Sequence, residues 1–479
     1  MSRIDRSLRA LAVAALAFPF AATAETTTDS VLAFIDSRHE STARLARTLW
    51  EYAEVGYQET RSTALLQETL AAEGFEIEAG VAGMPTAFVA SYGDSGPVIA
   101  ILAEYDALPG FDQDALPYRS PIENKLAGHA CGHNLFASAA VGGAVAVKHW
   151  LEQSGVEGIV RVYGTPAEEG GSGKAYMVRA GLFDDVDVAL HWHPGSANTA
   201  AAESSLAVRS AKFRFSGVAA HAAFAAHVGR SALDGVEAFN HMVNLMREHI
   251  SPYERVHYIV SSGGAAPNVV PEFAEAYYYL RHVEVDGLRS TWTRLEDAAR
   301  GAALGTGTEV EWEVIHGNYP IQVNSALARM VDEKLRIVGG VSYTEEEEAF
   351  ARQIYDSLQH PFYEFGTHDT IQEFSVGPGY GSTDVGDVSV TVPTVGFETA
   401  TWVPGTPAHS WQAAAASGSS IGFKGTTAAA KVLALASIEL IENAALREKA
   451  RIEFESRRGD DFVYEPLIGD RLPPLDYRK

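Results

Sequence analysis

The first apolar run of the chain is short and one-sided. Residues 10–22 ("ALAVAALAFPFAA") follow Arg3, Arg6 and Arg9 and lead into Ala22-Thr23-Ala24. A basic start, an apolar stretch too short to cross a bilayer and a small-x-small site predict a secretory signal cleaved after Ala24, hence a periplasmic or secreted protein. No later run is expected to approach a membrane-spanning length. Residues 29–74 read as amphipathic helices. "PVIAILAEYDAL" (97–108) reads as a buried strand ending in acids, and Asn134 to Leu151 as a buried helix. "GIVRVYGTPAEEGGSGK" is a strand entering a Gly-rich loop, and "VDVALHWHPG" a strand ending in histidines. This alternation predicts an α/β fold, a β-sheet covered by helices, with its chemistry at the strand ends.

The texture changes near residue 206. "LAVRSAKFRFSG" alternates as a half-buried strand does. A helix near 230–249, strands near 255–262 and 273–282, a helix near 286–303 and a strand near 308–316 complete a β-α-β-β-α-β unit. After it the first texture returns. "TEEEEAFARQ" (344–353) reads as a solvated helix start, "STDVGDVSVTVPTVGFE" (382–398) as a loop and a buried strand, and 425–446 as one amphipathic helix. The expected organisation is a signal at 1–24, a discontinuous catalytic domain at 25–205 and 318–479, and an inserted ferredoxin-like lid or dimerisation domain at 206–317.

Charge narrows the partners. The formal net charge is −25, and −27 once the three Arg and one Asp of residues 1–24 are removed. So acidic a surface argues against nucleic acid and anionic membranes. One cysteine, Cys131, cannot form an internal disulfide. In an oxidising compartment it is either buried and inert or held by a metal.

Its neighbours favour the metal. In "AGHACGHN" Cys131 and His133 sit two apart at a strand-to-helix junction, and a thiolate with an imidazole suits zinc or another divalent ion. In "TPAEEGG" Glu168 and Glu169 are adjacent and point different ways, so one carboxylate can hold a cation while the other takes a proton. His191 ends the strand of "ALHWHPG". His193 would share its face if Pro194 did not break the strand. His409 lies in the turn-rich "PGTPAHSWQ". Each alone is more often structural, but together they converge on the ends of one sheet.

The stretches "AEYDALPG", "GHACGHN", "GTPAEEGGSGK", "LHWHP", "GVAAHAA", "GGAAPNVVPE", "GSTDVGDVS" and "GTPAHSWQ" occur in this order. In them the chain closely resembles the di-metal amidohydrolases of the aminoacylase/carboxypeptidase family, the group of hippurate hydrolase and the indole-acetyl-amino-acid hydrolases. Its nearest branch resembles the p-aminobenzoyl-glutamate hydrolase subunits. The resemblance covers about residues 30–445. It implies two divalent ions (zinc or manganese) held by Cys131, His133, Glu169, His191 and His409, with Glu168 as general base. Glu104 stands where many relatives have a His, and Asp106 orients a ligand. His221 would stabilise the oxyanion in a partner subunit's site, and Asn268 with Arg281 would clamp a substrate carboxylate. The implied reaction is hydrolysis of N-acyl or N-aroyl amino acids, p-aminobenzoyl-glutamate-like or hippurate-like, by a homodimer or with a related subunit. A metallo-dipeptidase or carboxypeptidase of the same family is the alternative, and a retired periplasmic binding protein a further one. His129 stays outside the set as scaffold, and His193 has no assigned role.

Overall fold

Six consecutive apolar residues, Val98–Ala103, are all buried, and such a run belongs in a sheet covered on both faces. The structure, a computed structural model, describes residues 27–200 and 202–478, so the signal read in residues 1–24 lies outside the described residues. Two main sheets are built from β1 (Glu76–Ala79), β2 (Phe88–Tyr92), β3 (Val98–Ala103), β4 (Ile159–Gly164), β5 (Val188–Leu190), β6 (Ala207–Ser216), β7 (Arg255–Ser262), β8 (Phe273–His282), β9 (Glu309–Asn318) and β10 (Thr394–Val395). The larger has the order β1-β2-β4-β3-β5-β10. β3 runs parallel to β4 and β5, and β5 parallel to β10, so their C-terminal ends share one edge. β1 and β2 add an antiparallel margin.

Five helices matter below: α1 (His133–Ser154), α2 (Ala232–Met246), α3 (Val285–Thr306), α4 (Ser420–Glu442) and α5 (Ala444–Arg458). α1 and α4 pack on each other and on β3. A Cβ at Gly143 would stand 2.9 Å from the Leu433 Cβ, so the two helices touch almost backbone to side chain. α4 corrects two expectations. Its 23 residues are long and apolar enough to cross a membrane, yet 83% of that window is buried inside the protein. A helix enclosed on all sides must be apolar all round. It also starts earlier than read and stops at Glu442, where the Asn443 side chain accepts from Leu446 N and starts α5.

The segment 382–398 also differs from its reading. Val385–Ser389 is a short helix, and the strand shrinks to the two residues of β10. The cause is polar: buried Asp387 accepts from Tyr319 N (3.1 Å) and from the Tyr464 hydroxyl (2.7 Å).

The smaller sheet, order β7-β8-β6-β9, is antiparallel throughout. With α2 and α3 it encloses a separate cluster that includes Phe213, Phe215, Phe239, Tyr278 and Trp292. Along β8 burial alternates strictly, with Tyr278 in the cluster and Tyr277 and Tyr279 on the other face.

Candidate metal centre

The C-terminal edge of the larger sheet gathers the chemistry. β3 leads into Glu104 and Asp106, β4 into Glu168 and Glu169, and β5 into His191 and His193. Cys131 and His133 lie at the start of α1. Gly132 between them has φ 76°, and a Cβ there would strike the Pro194 ring at 2.6 Å. The middle residue of Cys-Gly-His is therefore set by the arm His193–Gly195, which pairs with Glu398–Ala400. Ala167 (φ 58°), Ser172 (φ 58°) and His409 (φ 57°) hold left-handed backbone without being glycine, strain that concentrates at functional sites.

Potential ligand atoms form three groups, each within 4.8 Å: Cys131, His133 and His193; Cys131, Glu169 and His409; Glu104, His133 and Glu168. His133 Nδ1 contacts Asp106 Oδ1 at 2.9 Å, and Asp106 Oδ2 accepts from Glu169 N at 2.9 Å. His133 Nε2 then faces Glu104 Oε2 at 3.2 Å, and His409 Nε2 faces Glu169 Oε1 at 3.1 Å. Yet Glu104 Oε2, His133 Nε2 and Glu169 Oε1 are buried without a hydrogen-bond partner. Buried polar atoms are rarely left so. Three in one thiol, imidazole and carboxylate cluster fit divalent cations, with Asp106 fixing the His133 ring from behind.

The electrostatics agree. Burial, then Glu169, pushes the Cys131 thiol far up, so it becomes a thiolate only beside a cation. Burial lowers His191 to about 4 and also lowers His193, leaving neutral imidazoles with a free lone pair. His133 is the exception. Burial opposes its charge, but Asp106 and Cys131 outweigh that and raise its pKa well above the usual value. Burial, then Glu104, Glu169 and Asp384, raises Glu168 well above the carboxylate range. A carboxyl whose affinity for protons is raised is suited to taking up and passing on a proton.

A cation sits behind the carboxylates. Lys174 Nζ lies 2.7 Å from Glu104 Oε1 and 2.6 Å from Asp384 Oδ1, all three side chains at most 2% exposed. Burial works against Glu104's charge, but Lys174 and then His133 hold its pKa below the usual value. Reading the sequence missed this pair, although "GGSGKAYM" places a lysine inside a small and apolar stretch and "GSTDVGDVS" carries Asp384.

Glu59 supports the same loop. It is buried, its Oε1 accepts from Ala167 N at 2.9 Å, and Oε2 has no partner. Burial, then Asp106, raises its pKa from 4.5 to about 8. The folded chain therefore binds a proton that the unfolded chain releases between those values. Stability from this group is full below about pH 4.5 and falls as pH rises towards 8. Glu59→Gln cannot ionise. It is expected to melt a few degrees above the parent near pH 9, the gap closing near pH 5; equal pH dependence in both would contradict the assignment.

The remaining residues lie as follows. His191 packs on Gly396, where a Cβ would come within 2.2 Å of Nε2, and it is in none of the three groups; His193 is. Buried His129 bonds the Leu49 carbonyl through Nε2 at 3.0 Å. His221 and Asn268 are exposed on the arm pairing Ala220–His221 with Val269–Val270, and among the described residues no contact joins them to the carboxylates. Arg281 Nη1 donates to Ser382 Oγ at 3.1 Å.

A family model, peptidase family M20/M25/M40, matches residues 100–411. The chain is 38% identical to one of the subunits of the p-aminobenzoyl-glutamate hydrolase of Escherichia coli (strain K12), covering 88% of this chain and 94% of that one. It is 32% identical to the Xaa-Arg dipeptidase of Mus musculus, covering 88% and 91%. Among solved structures, a dinuclear metal-binding peptidase of the M20 family from Bacillus subtilis shares the fold at a TM-score of 0.56 and 19% identity, covering 85% and 99%.

Proposed function

The chain belongs to peptidase family M20/M25/M40 and is a metal-dependent hydrolase of amides, and we propose that its substrates join an acyl or aroyl group to an amino acid, p-aminobenzoyl-glutamate-like or hippurate-like. The observation that supports this most is geometric: Glu168 lies with Glu104 and His133 in one group of potential ligand atoms, and Glu104 Oε2, His133 Nε2 and Glu169 Oε1 are buried without a hydrogen-bond partner. Two zinc or manganese ions, held by Cys131, His133, Glu169 and His409 with His191 or His193, would when bound polarise the amide carbonyl and acidify the attacking water. Glu168 takes a proton from that water and hands it to the leaving amine. Asp106 fixes the His133 ring, and Lys174 keeps Glu104 ionised.

The acyl side has room. A cavity of about 610 Å³ is lined by His193, Phe362, Tyr363, Trp402, Glu203 and Glu398, among others. Its aromatic walls suit an aroyl group, and its carboxylates offer acceptors to an amino substituent on the ring. Turnover of p-aminobenzoyl-glutamate, hippurate and simple dipeptides by the metal-loaded chain tests the reading. Conjugates are expected to be cleaved faster than dipeptides. The reverse order would favour the dipeptidase alternative, and binding without turnover a retired enzyme.

We further place the mature chain outside the cytoplasm, as a dimer or paired with a related chain. The basic start and Ala22-Thr23-Ala24 support export, and an N-terminus at Glu25 on the exported protein is the expected result. Exposed His221 and the apolar edge strand β7, where Ile259 is 62% exposed, support a partner that receives His221. Two inactive variants, Glu168→Gln and His221→Ala, test this by mixing. Re-equilibrated dimers should regain up to about a quarter of parental activity, since half are mixed and each has one complete site. No recovery would contradict action across the dimer.

A further inference from the structure

The segment after α5 crosses the molecule and reaches the carboxylate loop. Leu467 is buried in the cluster of the smaller sheet and Ile468 in that of the larger. Arg179 Nη1 donates to the Gly469 and Arg471 carbonyls (2.7 and 2.9 Å), and Gln58 Nε2 to the Leu475 carbonyl (2.7 Å). Arg471 pairs with Glu313 at 2.6 Å. Fastened in this way, the strap brings the Tyr477 hydroxyl to the Glu169 carbonyl at 3.3 Å and Arg478 Nη2 to the same oxygen at 2.5 Å. A Cβ on Gly170 (φ 100°) would lie 3.4 Å from the Tyr279 hydroxyl and 3.9 Å from Arg478 Nη2. Loop, strap and β8 thus meet at one glycine.

A second guanidinium faces the same place. Arg281 lies 5.8 Å from the centre of the Tyr279 ring. Buried His316, 5.5 Å from that ring, is held neutral near 3 by burial and then by Arg281 and Arg478. Among the described residues neither arginine is ion-paired with a carboxylate, and Arg478 Nε is buried without a hydrogen-bond partner. Asp106 acts on Arg478 only from beyond ion-pair distance. In a chain with 62 acidic and 37 basic residues, two guanidiniums left without carboxylates beside the reacting loop are placed to receive an anion from outside.

We propose that Arg478, delivered by the strap, and Arg281 form a two-guanidinium receptor for substrate carboxylates, which selects amides of dicarboxylic amino acids. This rests on the amidohydrolase reading above. One carboxylate meets Arg281 and the second meets Arg478, each through charge-assisted bonds.

Steady-state kinetics of the metal-loaded full chain on N-benzoyl-glutamate and N-benzoyl-alanine test it. Arg478→Gln is expected to raise KM for the glutamate conjugate about tenfold or more, with kcat within about twofold. The kcat/KM preference for glutamate over alanine falls by a similar factor, and Arg478→Lys recovers part of it. An unchanged preference, or equal losses on both conjugates, would overturn the receptor. Calorimetric binding of free glutamate and free alanine to the unsubstituted chain gives a reading independent of how the variants fold. Glutamate is expected to bind about tenfold more tightly or better, and equal affinities overturn the proposal. If neither conjugate is turned over while glutamate still binds selectively, the amidohydrolase reading fails and the receptor stands.

Discussion

Glu168→Gln is expected to lose about a thousandfold or more in kcat on an N-aroyl amino acid while keeping the parent's metal content. Removing a positioned general base commonly costs about 10²–10⁴, and here the same group also returns the proton to the amine. Glu168 is singled out by its surroundings. Burial and the carboxylates of Glu104, Glu169 and Asp384 raise its proton affinity, whereas Glu104 is held ionised by Lys174. The amide of Gln fills the same space without accepting a proton, so metal binding and melting temperature should move little. Parallel kinetics and metal analysis decide the matter. Turnover within about tenfold of the parent, or metal loss matching the activity loss, would remove Glu168 from this role.

Lys174→Met is expected to destabilise the fold by about 3–5 kcal/mol. The lysine lies between Glu104 at 2.7 Å and Asp384 at 2.6 Å, with no solvent to take over its charge. Its loss leaves Asp384 buried with no cation beside it and Glu104 with His133 alone, and an unpaired buried charge costs more than the intact pair contributes. Asp384 also accepts from Lys174 N at 2.9 Å, so the break reaches the backbone after the Glu168 loop. Urea unfolding measures the change. Lys174→Met combined with Asp384→Asn removes one of the two anions and should recover part of it. A single variant as stable as the parent would show that the pair carries no such weight.

Local pattern carried much of the fold. The strands read at 255–262 and 273–282 are formed by Arg255–Ser262 and Phe273–His282, because the two-residue period of a half-buried strand is written directly in its side chains. α4 reads in the sequence as amphipathic and too short to span a membrane, whereas it is apolar all round and long enough. A core helix and a membrane span need the same composition, and only its packing against α1 tells them apart. At the site, the residue types and their place at strand ends were legible, since Cys131, His133, Glu168, Glu169 and His409 each stand in a short motif at a predicted turn. What pairs with what was not. Lys174 and Asp384 are 210 residues apart, and no periodicity links them. The order of His191 and His193 is set by a second small pairing, His193–Gly195 with Glu398–Ala400, that lies beyond local reach. The strap is similar: Arg478 meets Glu169 across 309 positions, through contacts with both cores.

If the cluster around Cys131 is a metal centre that hydrolyses amides, turnover depends on bound divalent ions. The most direct measurement is turnover of p-aminobenzoyl-glutamate or hippurate before and after removal of metal by a chelator, with metal content recorded on the same samples. Activity is expected to disappear with the bound divalent ions, to return when zinc or manganese is added back, and to fail to return in Cys131→Ser at the same metal concentration. Full activity in a chain shown to be free of metal, or unchanged metal content and turnover in Cys131→Ser, would contradict it.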